Sequence, residues 1–322
     1  MALFQPSVLN KYLKLQDKEV TAKAYKKFTK HFHNATIQEN IKNSKEEEYQ
    51  GPFLTDLFVN ILGYTMKPQP NFNLVAEQKN QTNSKKSDGA ILKDETAIAV
   101  IELKGTKTKD LKSITEQAFG YKANQKGCTY VITSNYEKLR FYINDATEYL
   151  EFNLFTLTET DFELLYLCTS KENVFLELPH KIKTESIVKE EQITKEFYKD
   201  YSLFKRELYR DLVKLNAKSL KTSKQTELAE ASLEDEQLQK ELVRLEKNVK
   251  LALFKKSQKL IDRFLFVFFA EDRGLLPPNS TVKILEDWNK LKELDAVVPL
   301  YNRFKLYFNY LDTGRAGTDK KS

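Results

Sequence analysis

Three residues, Asp88, Glu102 and Lys104, have the types and spacing of a metal-dependent site that could hydrolyse phosphodiesters. Glu102 and Lys104 end the apolar run 96–104, which has the character of a β-strand. Side chains at i and i+2 on a strand point to the same face. A strand this apolar on both faces is expected to be buried, and buried charges need partners. A divalent cation is one such partner for clustered carboxylates.

The second carboxylate of the expected site is Asp88, at the edge of the preceding apolar run 87–92. A polar turn at 93–95 predicts a hairpin that sets Asp88 beside Glu102. Two carboxylates and a backbone carbonyl, for example that of Leu103, suit the oxygen shell of Mg²⁺ or Mn²⁺. Such a metal activates a water and stabilises charge on a phosphoryl group. Lys104 would orient or deprotonate that water and stabilise the transition state.

A further pair, Gln117 and Tyr121, lies on the helix predicted from about 110 to 125. Positions i and i+4 share one helix face. We expect the pair to steady the active-site loop or to touch the DNA backbone, and we count Gln117 among the catalytic residues.

The elements around these residues predict an α/β fold. An amphipathic helix at 49–62 carries one apolar stripe, and strands, a helix and further strands follow it. This order is typical of a mixed sheet flanked by helices. From about Ile187 the pattern is nearly all helical. We therefore expect an α/β domain over 1–182 and an all-α domain over 183–322.

Two stretches of the helical half carry separate expectations. The polar stretch 219–236 has the composition of a loop or an exposed arm. The run 260–269 is apolar almost all round, which is typical of a helix buried by its neighbours.

Composition permits a nucleic-acid partner without identifying one. The 322 residues include 52 Lys and Arg against 46 Asp and Glu, an excess of 6, and a 41% hydrophobic content excludes a disordered chain.

Lysines flank the expected site on both sides. They are either a phosphate-binding surface or an ordinary solvated one; the six are Lys79, Lys85, Lys86, Lys107, Lys109 and Lys112.

Cysteine and histidine usage points away from zinc and disulfides. The 2 cysteines lie in apolar runs, and the 3 histidines have no zinc-ligand spacing. No signal region or membrane-spanning run is apparent, so we expect a cytoplasmic protein without a membrane partner.

The motif order S-D-G-A-I, A-V-I-E-L-K-G and Q-A-F-G-Y resembles the PD-(D/E)xK nuclease superfamily with its Q-x-x-x-Y extension. The run F-L-T-D-L-F-V-N-I-L-G-Y looks like the N-terminal nuclease domain of type IIG restriction–modification enzymes. The later run S-Q-K-L-I-D-R-F-L-F-V-F-F-A-E-D-R-G-L-L-P is similar to their helical connector. The resemblance covers roughly 45 to 315. It implies a restriction-endonuclease-like sheet and Mg²⁺-dependent cutting of double-stranded DNA.

The resemblance also implies a further acid on the first helix of the nuclease domain. Glu46, Glu47 and Glu48 are the candidates. We expect Glu47 to assist the metal, because it lies seven residues before Leu54 on the face of the core stripe. The alternative is a solvated acidic helix start that the helix macrodipole favours.

Type IIG enzymes continue into an adenine methyltransferase, and no N-P-P-Y-type motif or glycine-containing S-adenosylmethionine loop occurs here. The resemblance therefore implies that the methyltransferase and target-recognition domains follow Ser322 and that S-adenosylmethionine binds only there. Two other functions remain open. One is a catalytically silent DNA-binding or interaction module with the same fold, and the other is a repair-type exonuclease of the same superfamily.

Overall fold

The structure, a computed structural model, divides the chain into two compact units, Met1–Thr194 and Lys195–Ser322. The sequence predicted the division between 182 and 183, so the observed division comes later and falls inside one helix. The structure describes residues 3–80, 86–229, 235–296 and 298–314.

The first unit begins with four helices joined by short turns. Side-chain caps start three of them: Gln5 accepts a hydrogen bond from the N–H of Val8 at the start of α1. Asp17 accepts from two backbone N–H groups at the start of α2, and Asn34 does the same for α3. The bounds are α1 Pro6–Leu15, α2 Lys18–Phe32, α3 Ala35–Asn43 and α4 Glu46–Phe53.

A π-helical segment, Leu54–Val59, continues directly from α4. Pro52 inside α4 has no N–H to donate, so one helical hydrogen bond is missing just before the helix widens. Gly63, with φ at +84°, lies just beyond the predicted helix 49–62, as expected of a C-cap. The predicted single helix is therefore an α-helix followed by a π-helical turn.

Six strands form one mixed sheet in the order in which they occur along the chain. All neighbours are antiparallel except β3 and β4, which are parallel. A parallel pair needs a crossover, and helix α5, Lys112–Lys122, supplies it. The α/β fold with a mixed sheet is confirmed. The strands are β1 Leu74–Lys79, β2 Lys86–Lys93, β3 Thr96–Leu103, β4 Tyr130–Ser134, β5 Lys138–Ile143 and β6 Tyr149–Asn153.

Strand β3 lies at the centre of this sheet and is buried on both faces, as predicted. Ala99, Ile101 and Leu103 belong to the large core shared with the N-terminal helices. On the other face, Val100 packs with Ala118 of α5. Glu102 follows Val100 at the i+2 position, so its side chain leaves the strand on the face that α5 covers.

The rest of the first unit is helical: α6 Glu159–Thr169, α7 Lys171–Phe175 and the beginning of α8, Leu178–Ala229. Tyr64, directly after Gly63, ties the N-terminal helices to this part, because its buried hydroxyl donates to the carbonyl of Thr169 at 2.9 Å.

The second unit contains only helices among its described residues, as predicted. After α8 come α9 Asp235–Asp272, α10 Ser280–Glu293 and α11 Leu300–Thr313. The stretch 219–236, expected to be a loop or an exposed arm, is helical up to Ala229, and 230–234 lie outside the described residues.

The burial expected for 260–269 is wrong for part of this run. Ile261 and Val267 are buried, but Phe266, Phe268 and Phe269 are at least half exposed, because neighbouring helices cover only one side of α9. Within the described ranges no helix combines the length and apolarity needed to cross a membrane.

Candidate active site

The β2–β3 hairpin brings Asp88 to the end of β3. The register sets Gly89 opposite Ile101 and therefore carries Asp88 to the level of Glu102. Asp88 Oδ2 accepts a hydrogen bond from the backbone N–H of Leu103 at 2.7 Å. The hairpin and the neighbouring carboxylates that the sequence predicted are thus both present.

Four oxygen-bearing groups surround the ammonium of Lys104, and we call them the oxygen cage: the carboxylates of Glu46, Asp88 and Glu102 and the carbonyl of Leu103. Lys104 Nζ lies 3.1 Å from Glu102 Oε1 and 3.2 Å from Glu46 Oε1. It donates to the Leu103 carbonyl at 2.9 Å and lies 4.0 Å from Asp88 Oδ2. Groups from α4, β2 and β3 therefore converge on one cation.

The three carboxylates of the oxygen cage differ in their exposure to solvent. The Glu102 side chain is only 1% exposed, Asp88 is 22% exposed and Glu46 is 39% exposed. Glu102 Oε2 is buried and has no hydrogen-bond partner among the described residues. A buried carboxylate oxygen without a donor is costly, so a partner beyond the present hydrogen bonds would stabilise it.

The pKa of Glu102 is raised to about 7, mainly by burial and also by the charge of Asp88, and Lys104 offsets part of the rise. Burial also raises the pKa of Asp88, against the lowering effects of the Leu103 N–H and of Lys104. Both carboxyl groups therefore hold their protons more firmly than in water when no stronger cation faces them.

The ammonium of Lys104 is held in its charged form. Burial alone would lower the pKa of Lys104, but the charge and hydrogen bond of Glu102, helped by Asp88 and Glu46, raise it above its usual value. Lys104 therefore acts as a fixed positive charge at this end of the sheet.

The donor set of the oxygen cage fits a hard divalent cation. Mg²⁺ typically uses one or two carboxylates and completes its octahedral shell with waters and other oxygens. Asp88, Glu102 and the Leu103 carbonyl offer that set, and the unpartnered Glu102 Oε2 is a free ligand atom. Among the residues that the structure describes, no group of three or more His, Cys, Asp and Glu could hold a metal ion by itself. The fit therefore depends on two carboxylates, a carbonyl and water.

The acid of helix α4 that belongs to the oxygen cage is Glu46. The prediction that Glu47 assists the metal is corrected accordingly. Glu46 Oε1 pairs with Lys104, and Glu46 Oε2 accepts from the backbone N–H of Gly105 at 3.2 Å. Glu47 is exposed. Glu48 turns back to cap the helix, accepting from the N–H of Lys45 at 2.9 Å. Glu46 is the first residue of α4, so its side chain points beyond the helix end toward β3.

Gln117 lies on α5 and is exposed, and its Nε2 donates to the hydroxyl of Tyr121 at 3.1 Å. The pair shares one helix face, as predicted. These two side chains line a polar cavity of about 590 Å³ together with Lys86 of β2. The described hydrogen bonds and ion pairs of the oxygen cage do not include Gln117, so its catalytic role stays a prediction.

The lysines near the site are mostly exposed, but some have acidic partners. Lys86 pairs with Glu77 at 2.8 Å, and Lys109 pairs with Glu137 at 3.5 Å. Lys79, Lys107 and Lys112 are exposed, and Lys85 lies outside the described residues.

Comparison of the chain with known proteins identified no relative. No family model, curated protein or solved structure matches the chain. The oxygen cage is therefore the feature of the molecule on which a proposal of function rests.

The sequence predicted Glu46 only as an alternative to Glu47, and it gave no prediction for Tyr136. For Glu46 a signal existed, because it is the first helical residue after Lys45 and Glu48 is in the position to cap. For Tyr136, whose hydroxyl donates to the carbonyl of Glu46 at 2.9 Å, nothing in the local pattern indicates the contact.

Proposed function

We propose that this chain is a metal-dependent nuclease of the PD-(D/E)xK type that hydrolyses phosphodiester bonds of duplex DNA. The observation that carries the proposal is the oxygen cage, in which Asp88, Glu102 and the Leu103 carbonyl converge on the charge of Lys104. The buried Glu102 Oε2, which has no hydrogen-bond partner among the described residues, supports the proposal because a cation there would stabilise it.

In this proposal Asp88, Glu102 and the carbonyl of Leu103 hold Mg²⁺ or Mn²⁺. When bound, the ion supplies an activated water and neutralises charge on the phosphoryl group. Lys104 contributes a fixed positive charge close to the negative charge that develops on the phosphate oxygens. Glu46 holds Lys104 by its ion pair and holds the chain after the strand through the Gly105 N–H.

The direct test is Mg²⁺-dependent cutting of plasmid DNA by the purified chain. We expect Asp88→Asn, Glu102→Gln and Lys104→Met each to lower the cleavage rate by at least about 10²-fold, as removal of one transition-state partner does. Lys23→Met is the control for Lys104→Met, because Lys23 is exposed on α2, pairs with Glu19 and is not among the lysines that flank the site. Undiminished Mg²⁺-dependent cutting by the three site variants would refute the proposal.

The same assay separates the alternative functions. An endonuclease cuts closed circular plasmid, whereas an exonuclease releases nucleotides only from an end-labelled linear fragment. A silent DNA-binding module retards DNA on a gel without cutting either substrate. We expect the circular form to be cut.

We further propose that the cutting unit belongs to a type IIG restriction–modification enzyme. The second unit supports this, because its described residues form helices without strands and such enzymes are expected to have a helical connector after the nuclease domain. In the proposal, methyltransferase and target-recognition domains follow Ser322, and S-adenosylmethionine binds there. Cleavage at a fixed distance from one short DNA sequence by the longer protein is the expected result, and cleavage without any preferred sequence would refute it.

A further inference from the structure

We propose that Tyr136 is a positioning residue that holds Glu46 against Lys104, an inference that rests on the proposed function. Tyr136 lies in the turn between β4 and β5, and Glu46 begins α4. The two residues are 90 positions apart in the sequence and meet through one hydrogen bond.

The contact between them is specific and buried. The Tyr136 side chain is fully packed, and its hydroxyl donates to the Glu46 carbonyl at 2.9 Å. The ring also packs edge-to-face against Tyr49, at 5.1 Å between centroids, and at a tilt against Phe53, at 5.2 Å. These three rings belong to α4 and to the turn, so Tyr136 fixes the first helical turn from its inner side.

The backbone of Tyr136 is held in an unfavourable conformation. Its φ is +70°, in the left-handed region that glycine occupies easily and a bulky residue rarely adopts. Such a conformation costs of order 1–3 kcal/mol and persists only where surrounding contacts determine it. A glycine would relieve this cost, so the presence of a tyrosine points to a use for its side chain.

Other hydrogen bonds fix the turn and join it to the chain that follows Lys104. Asn135 Nδ2 donates to the carbonyl of Thr108 at 2.8 Å, and the N–H of Lys104 donates to the carbonyl of Ser134 at 2.9 Å. The N–H of Tyr136 donates to the hydroxyl of Ser134 at 2.9 Å. The turn therefore holds the end of β3 directly, and through the Tyr136 hydroxyl it also holds the start of α4.

Loss of this one hydroxyl would loosen the first turn of α4 without disturbing the ring packing. Glu46 reaches both Lys104 Nζ and the Gly105 N–H only while that turn is fixed. Tyr136 would thus act on the site through Glu46, and it contacts no reacting group itself.

The test compares Tyr136→Phe with Tyr64→Phe. Each variant removes a buried hydroxyl that donates to a backbone carbonyl at 2.9 Å, but the Tyr64 acceptor is Thr169, at the end of α6. We expect both variants to melt at similar temperatures. Only Tyr136→Phe should speed hydrogen exchange of the Gly105 amide, weaken Mn²⁺ binding by about 10-fold as loss of a supporting contact does, and lower kcat at unchanged KM for DNA.

A double-mutant cycle with Glu46→Ala tests whether Tyr136 acts through Glu46. We expect Tyr136→Phe to have no further effect on Mn²⁺ affinity once Glu46 is Ala, because the group that it positions is gone. Equal effects of Tyr136→Phe in the two backgrounds would overturn the inference. So would Gly105 exchange as slow in Tyr136→Phe as in Tyr64→Phe. If the parent chain neither binds Mn²⁺ nor cuts DNA, the proposed function fails, while the Gly105 exchange still decides whether Tyr136 positions Glu46.

Discussion

Glu102 is the most deeply buried carboxyl group of the oxygen cage, and its neighbours have opposing effects on its ionisation. Burial and the neighbouring Asp88 favour its protonated form, while Lys104 favours the carboxylate. A cation near the unpartnered Oε2 would favour the carboxylate further. The charge of this one residue should therefore report whether the site is loaded.

The first prediction concerns stability against pH in EDTA. Glu102 has a pKa of about 7 in the folded chain against an ordinary value of 4.5, so the folded state holds the proton more tightly. The stabilisation that comes from this tighter proton binding is fully present below about pH 4.5 and is lost as the pH rises to about 7. We expect the unfolding free energy of the parent chain to fall relative to Glu102→Gln over this range in urea titrations. Parallel stability curves for the two proteins would contradict this.

The second prediction concerns competition at the oxygen cage. The ammonium of Lys104 and a divalent cation use the same oxygens, and like charges about 4 Å apart repel by ~4 kcal/mol at an effective dielectric constant of 20. After a discount for solvent screening, we expect Lys104→Met to bind Mn²⁺ roughly 10-fold more tightly in calorimetry, while cutting is lost. Lys107→Met removes an equal charge outside the cage and should leave the affinity unchanged. Weaker binding by Lys104→Met would show that Lys104 supports the ion and does not compete with it.

At the residue scale, the sequence predicted the three groups that strand geometry controls. Asp88, Glu102 and Lys104 follow from alternation along two strands joined by a tight turn, which is local information. Glu46 and Tyr136 come from distant segments, and their contacts depend on how α4 and the β4–β5 turn pack. Glu47 was preferred over Glu46 because helical spacing locates a helix face, while the side chain of the first helical residue reaches beyond the helix end.

Helix α5 provides an element-scale prediction through Gly120, a glycine in a helix interior. A Cβ at Gly120 would have no atom within 4 Å, so Gly120→Ala should stabilise the protein by about 0.5–1 kcal/mol. Gly63 is the matched contrast, since it has similar space but a φ of +84°. Gly63→Ala should destabilise the chain by ~1 kcal/mol. Urea titrations of both variants would check the opposite signs.

The elements themselves were largely predictable. The apolar runs 87–92 and 96–104 predicted β2 and β3, and the helix predicted from about 110 to 125 corresponds to α5, each to within a few residues. The π-helical turn after α4 was not predictable, because its widening depends on packing as well as on Pro52. The polar composition of 219–229 predicts a loop or an exposed arm, yet helix propensity favours a helix there, and Lys221 of this helix pairs with Glu246 of α9.

At the scale of the whole molecule, the excess of 6 positive charges matters through its distribution. If Lys107 and Lys112 contact phosphates, Lys107→Ala and Lys112→Ala should each reduce the slope of log K against log salt by about 0.9. Lys23→Ala on α2 is the control, because Lys23 is equally exposed and pairs with Glu19. Fluorescence anisotropy of labelled duplex DNA at several salt concentrations gives the slopes. Identical slopes for all three variants would favour an ordinary solvated surface.

The division of the chain was predicted approximately. The change of texture near Ile187 is real, but the compact units meet between Thr194 and Lys195, inside α8. A continuous helix gives the sequence no glycine, proline or turn to mark the boundary. The apolar content of 260–269 does not distinguish a helix that is covered on one side from a helix that is fully buried.

The parallel pairing of β3 with β4 has a consequence for the time course of folding. Asp88, Glu102 and Lys104 belong to one hairpin, which can form within microseconds, whereas the β3–β4 pairing waits for α5 to cross over. Glu46 is 58 residues from Lys104, so we expect its contact to form after the hairpin. We therefore expect Glu46→Ala to accelerate unfolding and to leave the refolding rate nearly unchanged in stopped-flow experiments. Slower refolding would mean that α4 docks early and that the hairpin closes onto it.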